Sequence, residues 1–497
     1  MADRTFDLLV IGGGINGAGI ALDAAGRGLS VLLCEKGDLA SATSSASSKL
    51  IHGGLRYLEN YEFRLVREAL AEREVLMRAA PHLIGPLRFR LPRGPGSRPA
   101  WMIRAGLFLY DHLARRNTLP ASGAARWGAG SPLKDEFARG FEYSDCNLDD
   151  SRLVVLVARA AAERGAVIRT RLECTALLPA AGGWRAELTD RAGRVESVQA
   201  GAVANAAGPW VRRLLDRVHG VAVHHQVRLV KGSHIVVPQI TEADEAYLLQ
   251  NADGRIVFVL PTPEAVSLIG TTDIEFTGDP GRIAAGLDEE QYLLDVVNRY
   301  FRRQLSRADI RLAYAGVRPL LDDGSGAAQQ VTRDYVLELD RVGDGPGSPI
   351  LSVFGGKLTT YRRLAEHALD KLAPLFPQAG PAWTEHHILP GGDFTTRAAL
   401  AAEFARRWPW LDPRTIARFV RGYGTLTDEF MSNAKSLADM GEPLGYGFSE
   451  RELDYLRRRE WAQKAWDVLW RRTKLGFVLT EAERARVKAL CQAPTPA

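Results

Sequence analysis

Four cysteines, at positions 34, 146, 174 and 491, are too few and too far apart to frame a disulfide scaffold, and none forms a CxxC pair or a Cys/His ligand spacing. A reducing compartment and no structural metal are the expectation. His224-His225 and His386-His387 are adjacent pairs without a third ligand close by, which reads as surface or core histidine. No stretch of about eighteen purely apolar residues occurs, so no membrane-spanning helix is predicted. The most apolar stretch, residues 8–25, holds five glycines, Asn16 and Asp23, and lacks the basic flank of a signal peptide. An excess of one charge sign is also missing. Lys and Arg outnumber Asp and Glu by five, which suits an anionic substrate or membrane surface at least as well as nucleic acid, and no nucleic-acid recognition motif accompanies the charge. Internal repeats and low-complexity tracts are absent. What remains, 497 residues with 46% hydrophobic and 25% charged content, is an ordinary globular composition with length for two or three domains.

The chain is organised around its first forty residues. Phe6 to Ile11 is a short apolar run suited to a buried parallel strand, and it stops at Gly12-Gly13-Gly14. Gly12, Gly14 and Gly17 make G-x-G-x-x-G: the first permits the tight turn, the second lets a pyrophosphate approach backbone, and the third lets helix and strand pack closely. A helix is predicted from about Asn16, with its unpaired N–H groups facing the phosphates. A second apolar run, Ser30 to Cys34, ends in Glu35, where an acid can accept both ribose hydroxyls. A glycine-rich turn in an unrelated α/β protein is the bland alternative, and the register of strand, turn, helix, strand and acid argues against it.

Residues 41–48 are too small and polar for a core strand and read as a loop against something that wants hydroxyls and N–H groups, such as a flavin or its pyrophosphate. Lys49 to Gly54 adds two glycines, followed by Arg56-Tyr57, and a helix is predicted from about Phe63 to Ala80. Ala100 to Arg116 sets Trp101, Ile103, Leu107, Phe108, Tyr110 and Leu113 beside Arg104, Arg115 and Arg116. An interfacial helix on an anionic bilayer and an ordinary buried helix explain that pattern equally. A helix begun by Asp149-Asp150-Ser151, a hairpin of 184–189 with 195–199, and an apolar run ending at Ala207-Gly208 follow. Residues 221–283 are strand-rich and suit a mixed sheet roofing the cofactor. Ile350 to Phe354 then runs into Gly355-Gly356-Lys357-Leu358-Thr359, another glycine turn before a helix and hence another anion or flavin-edge site. Residues 374–393 are rich in Pro and Gly and mark a boundary; beyond them the chain reads as helical.

Taken in order, GGGINGAG, SSASSKLIHGGLRYLE, NAAGPW, KGSH, AGVRPL, TRDY, GGKLTTYR and WDVLWRRTKLGF make the chain similar to the FAD-dependent glycerol-3-phosphate dehydrogenases of the bacterial aerobic type, across nearly its whole length. No transit-type leader precedes the first strand and no calcium-binding loop follows the last motif, so the likeness is to the bacterial rather than the mitochondrial form. The resemblance implies an α/β fold: a doubly wound, Rossmann-like FAD-binding domain intertwined with a mixed-sheet substrate subdomain, and a C-terminal all-α capping domain. The boundaries read as 1–380 for the oxidoreductase domain, with the FAD part at roughly 1–85, 148–215 and 310–375 and the substrate part at roughly 86–147 and 216–309, then 390–497 for the cap. It implies oxidation of sn-glycerol 3-phosphate to dihydroxyacetone phosphate by hydride transfer from C2 to FAD N5, with electrons passed to a quinone at the inner face of the cell membrane. The protein is then cytoplasmic and peripheral on an anionic surface; a homodimer is compatible with this reading. Use of oxygen, as in glycerol-phosphate oxidases, is the runner-up, and a non-catalytic flavin-binding scaffold is the rival of another class.

The resemblance lays FAD along Gly12, Gly14, Asn16, Gly17, Glu35 and Lys36, then along Thr43, Ser44, Ser45, Ser48, Leu50, His52, Gly53 and Gly54. Ala207, Gly208, Gly356, Lys357, Leu358 and Thr359 complete that surface. Removing a hydride and a proton from a secondary alcohol calls for a base, and His52 is the best acceptor in these motifs, a structural flavin contact being its alternative role. Arg318 cannot act as a base because a guanidinium stays charged to about pH 12; its expected part is to stabilise the alkoxide. Lys357, counted with His52 and Arg318 as catalytic, joins Arg56, Tyr57 and Arg333 as donors to the phosphate, and His234 is a weaker candidate for the flavin or substrate face.

Overall fold

The computed structural model describes residues 4–128, 130–218, 221, 225–242, 244–251, 253–322, 334–343 and 347–492. Arg4–Ile11 and Val31–Glu35 run parallel, and their side chains alternate between two apolar layers. Leu8, Val10, Val31 and Leu33 point to one face, and Leu9, Ile11, Leu32 and Cys34 to the other, which is why both runs are continuously hydrophobic. The first face is covered by the helices Ile15–Gly26, Asp150–Glu163 and Tyr361–Leu372, through Ala18, Leu22, Leu153, Leu364 and Leu369. Asp149 caps the middle helix, its carboxylate accepting the Arg152 N–H at 3.1 Å. The other face is covered by a β-meander, Leu172–Ala180 and Gly183–Asp190, where a strictly doubly wound chain would carry helices. Val195–Asn205 is a single strand that serves both purposes expected of two: its first half pairs antiparallel with the meander, and its length pairs parallel with Arg4–Ile11.

The first strand therefore lies between Val31–Glu35 on one side and Val195–Asn205 on the other. Successive crossovers diverge from its C-terminal end, the place where open α/β sheets bind ligands. Ser348–Phe354 extends this sheet in parallel, and Val336–Val342 closes its edge antiparallel.

The second sheet has the order Ile274–Glu275, Val227–Pro238, Val266–Gly270, Ile256–Pro261, Glu245–Gln250, Ile84–Arg93, Arg139–Leu148 and Leu50–Ile51. Leu312–Leu321, placed with the FAD part by the sequence, pairs along its whole length with Val227–Pro238 and so belongs to this sheet, as does the short strand Leu50–Ile51. The reason is register: ten consecutive residues, Leu312 to Leu321, find antiparallel partners from Val236 to Val227. One face of the sheet packs on Val66, Leu70, Ile103 and Leu107, and the other on the helix Leu287–Tyr300 through Leu293, Val296 and Val297.

Residues 397–492 are helical apart from one hairpin, Pro443–Gly445 with Phe448–Ser449, which departs from the all-α expectation. Gly445, Tyr446 and Gly447 adopt φ of +100°, +52° and +70°, and this left-handed run reverses the chain where a helix would continue. The part is bolted to the first sheet by buried charge. Arg472 donates to both oxygens of Asp38 at 2.7 and 2.8 Å, Arg471 reaches Asp38 at 2.7 Å, and Lys474 reaches the capping Asp149 at 2.9 Å. Arg152 and Arg171 answer from the other side, pairing with Glu460 and Asp467.

Candidate functional site

The opening glycines have no alternative. Gly12 sits at φ +116°, and a Cβ there would lie 2.4 Å from the Ala206 carbonyl oxygen; on Gly17 it would lie 1.9 Å from the Gly12 carbonyl oxygen. The helix Ile15–Gly26 thus starts hard against the end of the first strand. Its N-cap, Gly14, offers no side chain, and the Ile15 N–H donates instead to Ser44 Oγ at 3.1 Å. Glu35, at the end of its strand, accepts the N–H groups of Gly13 at 2.7 Å and Gly37 at 2.6 Å, one on each carboxylate oxygen. Each oxygen keeps a second lone pair, enough for two ribose hydroxyls. Burial pushes the Glu35 carboxyl up, and the two N–H groups offset only part of that.

These groups border a cavity of about 490 Å³ that runs between the two sheets. One end is walled by residues 12 and 14–16, by 35–36, by most of 40–48, by 206–210 and by 355–356. Asn16 Nδ2 donates to the Gly355 carbonyl at 3.2 Å, while its buried Oδ1 has no partner. A long, glycine-floored cleft with a helix N-terminus, a ribose-binding acid and an orphaned amide oxygen fits a dinucleotide that brings a hydrogen-bond donor to Asn16. Lys36 lies 3.5 Å over the Trp210 ring, and burial lowers its pKa.

The opposite end gathers His52, Arg56, Tyr57, Arg318 and Lys357. Asp273 joins them, a residue that sequence reasoning passed over as the tail of a strand. Arg318 pairs with its Oδ1 and donates to Thr271 Oγ1 at 3.1 Å, and Arg56 approaches Oδ2 at 3.5 Å. The Lys357 ammonium sits 3.8 Å over the Tyr57 ring. Arg318 and Arg56 thus share one carboxylate with Lys357 lining the same cavity, a concentration of positive charge suited to a phosphate dianion. His52 packs edge-on against Phe258 at 6.2 Å. Burial, then Lys357, Arg73 and Arg318, push its pKa down to about 3, so the imidazole is neutral and has a lone pair to offer.

Four of the expected contact residues do not border the cavity. Gly17 lies beneath the turn, the Ser45 hydroxyl donates to the Ala42 carbonyl at 3.3 Å, and the Gly53 N–H is spent on Tyr110 Oη at 2.8 Å. His234 is 1% exposed, stacked on Tyr314 at 5.0 Å, with Nε2 3.0 Å from Ser48 Oγ. Gly232, two residues earlier on the same strand face, takes the cavity position, so His234 lies one pleat further in and orients the Ser48 hydroxyl from behind. Arg333 and His224 lie outside the described residues. Among the described residues no group of three or more His, Cys, Asp or Glu could hold a metal ion.

Comparison with known proteins bears on the same two regions. Residues 7–362 match the family model described as FAD dependent oxidoreductase, and residues 382–493 match the C-terminal domain of alpha-glycerophosphate oxidase. A glycerol-3-phosphate dehydrogenase of Pseudomonas aeruginosa is 54% identical over 494 residues, 99% of this chain and 96% of the relative. A D-erythritol 1-phosphate dehydrogenase of Brucella abortus is 50% identical, covering 97% of each. The crystal structure of the glycerol-3-phosphate dehydrogenase from Bacillus halodurans complexed with FAD superposes with a TM-score of 0.74 at 26% identity, covering 99% of this chain and 95% of that one.

Proposed function

Since the chain belongs to the FAD-dependent glycerol-3-phosphate dehydrogenases, we propose that it oxidises the C2 hydroxyl of sn-glycerol 3-phosphate to the ketone of dihydroxyacetone phosphate and passes the electrons to a membrane quinone. The observation that carries the substrate assignment is the pairing of Arg56 and Arg318 on Asp273 in the cofactor cleft, with Lys357 and a neutral histidine lining the same cavity. Arg56 and Lys357, with Arg333 assigned from its motif alone, bind the phosphate. Arg318, fixed by Asp273 and Thr271, stabilises the negative charge that develops on the C2 oxygen. A ring nitrogen of His52 takes the hydroxyl proton, and the positive charge it gains is balanced by the substrate dianion beside it. FAD, when bound, supplies the acceptor for the C2 hydride. Phe258 and Tyr57 keep water from the reacting carbon.

Attachment to the membrane is assigned to the helix Ala100–His112. Ile103, Leu107 and Tyr110 are buried, whereas Trp101 and Phe108 are 71% and 61% exposed, with Met102, Leu109 and Arg104 beside them. An exposed apolar strip with arginines at its edge is the shape of a helix lying in an anionic interface. Among the described residues no helix is long and apolar enough to cross a membrane.

The experiment is an anaerobic titration of the holoenzyme with glycerol 3-phosphate and, in a second cell, with D-erythritol 1-phosphate. Bleaching of the flavin by the first at much lower concentration, then rapid recovery on adding a quinone and slow recovery on adding oxygen, is the expected outcome. Preference for the four-carbon substrate overturns the substrate assignment, and fast recovery by oxygen overturns the acceptor.

A further inference from the structure

A second cavity, of about 140 Å³, lies where the second sheet meets the C-terminal helices. Its floor is hydrocarbon, from Leu87, Leu260 and Leu268 of the sheet, and Leu50 forms part of its wall as well as part of the cofactor cleft. Its other side carries His82, Arg397 and Arg421.

Most cations at this junction are matched. Lys49 pairs with Asp150 at 2.8 Å, Arg418 with Glu452 at 2.5 and 2.8 Å, and Lys474 with Asp149 at 2.9 Å. Arg397 and Arg421 are not: Arg397 donates its Nε to the Pro81 carbonyl at 2.8 Å, and no ion pair of either is found among the described residues. Burial disfavours both guanidiniums, and Arg397 is further disfavoured by Arg421 itself. Glu264 is the one carboxylate that acts on Arg421, and its own carboxyl is pushed up, by burial first and by Asp149 next. His82 is 1% exposed and neither of its ring nitrogens has a hydrogen-bond partner. Burial, Arg152 and Arg397 hold its pKa at about 3, so the ring is neutral and offers one N–H and one lone pair. A buried imidazole with both nitrogens unsatisfied is destabilising, and two adjacent guanidiniums facing Glu264 without a direct ion pair add to it. A single ligand relieves both.

We infer that this cavity is a binding site for a small carboxylate with an apolar body, the carboxylate held by Arg397 and Arg421 and hydrogen-bonded by His82, the hydrocarbon resting on Leu87, Leu260 and Leu268. The hydrocarbon of Leu87, Leu260 and Leu268 favours a carboxylate with an apolar body over inorganic phosphate. Leu50, two residues before His52, borders both this cavity and the cofactor cleft. The site is separate from the phosphate-binding end of the cleft and does not depend on which polyol phosphate is oxidised.

The test is calorimetric titration of the FAD-loaded protein with benzoate, butyrate and oleate in turn, with inorganic phosphate as the contrasting anion. A short carboxylate is expected to bind with an affinity at least tenfold above that of phosphate. Arg397→Gln and Arg421→Gln should each lower it tenfold or more, and His82→Leu should lower it while leaving the flavin spectrum in place. Binding of oleate alone would assign the site to a lipid chain end rather than to a soluble carboxylate and would overturn the proposal as stated. Binding unaltered by Arg397→Gln and Arg421→Gln, or no binding to an intact holoenzyme, would show that water fills the cavity. Thermal unfolding separates a purely structural role: surplus guanidiniums predict that Arg421→Gln leaves the midpoint unchanged or raises it, whereas a lowered midpoint without carboxylate binding would also refute the site.

Discussion

Removing the Arg472 side chain tests whether the C-terminal helices hold the cofactor loop by charge. Arg472 and Asp38 are 1% and 3% exposed, and two hydrogen bonds of 2.7 and 2.8 Å join them. Burial alone would push the Asp38 carboxyl up; Arg472 and then Arg471 outweigh it and bring it from an ordinary 3.8 down to about 2. That difference corresponds to roughly 2–3 kcal/mol of stability. Because the folded value is the lower one, the contribution is complete above pH 3.8 and fades as the pH falls through about 2. Arg472→Met at pH 7 should cost about 2–3 kcal/mol, because it leaves the buried Asp38 carboxylate with Arg471 as its remaining hydrogen-bonded cation and loses the two bonds to the Glu460 carbonyl. Asp38→Asn leaves Arg472 with only the Glu460 carbonyl and Arg471 with Asp467, and the double variant should recover at least about 1 kcal/mol relative to the sum of the singles. The assay is urea unfolding of the FAD-loaded protein, followed by flavin release and by far-ultraviolet circular dichroism, with the FAD dissociation constant measured for each variant. Asp38 follows Gly37, whose N–H fixes Glu35, so the variants should also bind FAD at least tenfold more weakly. An Arg472→Met loss below about 1 kcal/mol, or a strictly additive double variant, would refute the clamp.

Arg318→Met should retain FAD with an unaltered spectrum while kcat falls about 10²–10³-fold, the usual loss of one preorganised oxyanion donor; a change confined to KM would move Arg318 to phosphate binding. With the His52 pKa held near 3, kcat/KM corrected for ionisation of the substrate phosphate should stay flat from pH 8 down to pH 5, and a limb at an ordinary histidine value would contradict the buried, neutral imidazole. Trp101→Ser with Phe108→Ser should cut sedimentation with anionic liposomes several-fold and leave turnover with a soluble acceptor unchanged; liposome binding equal to wild type would remove that helix from the interface.

The sequence was most readable where the chemistry is local. Gly12, Gly14, Gly17 and Glu35 lie within one strand-turn-helix-strand unit, and their spacing alone implies the turn, the close helix and the ribose acid that the structure shows. Alternation along Leu8 to Ile11 cannot by itself say what covers each face, which is why the β-meander on the far side was not foreseen. Asp273 was missed because nothing beside it in sequence marks it: its partners, Arg318 and Arg56, lie 45 and 217 residues away. His234 was assigned to the cavity because its motif belongs there, but Gly232 occupies that place. The segment Leu312–Leu321 changed sheets for a related reason, since strand partners are set by register and no local feature records them. The motif WDVLWRRTKLGF was recognisable as a likeness without any hint of its purpose, which is to carry Arg471, Arg472 and Lys474 to acids near the opposite terminus.

That long reach has a consequence for how the protein is made. The first strand takes its place at the centre of a sheet whose other members are synthesised later, and Asp38 must wait more than four hundred residues for the arginines that neutralise it. A chain that stops before those residues lacks the two arginines that hydrogen-bond Asp38 in the finished fold.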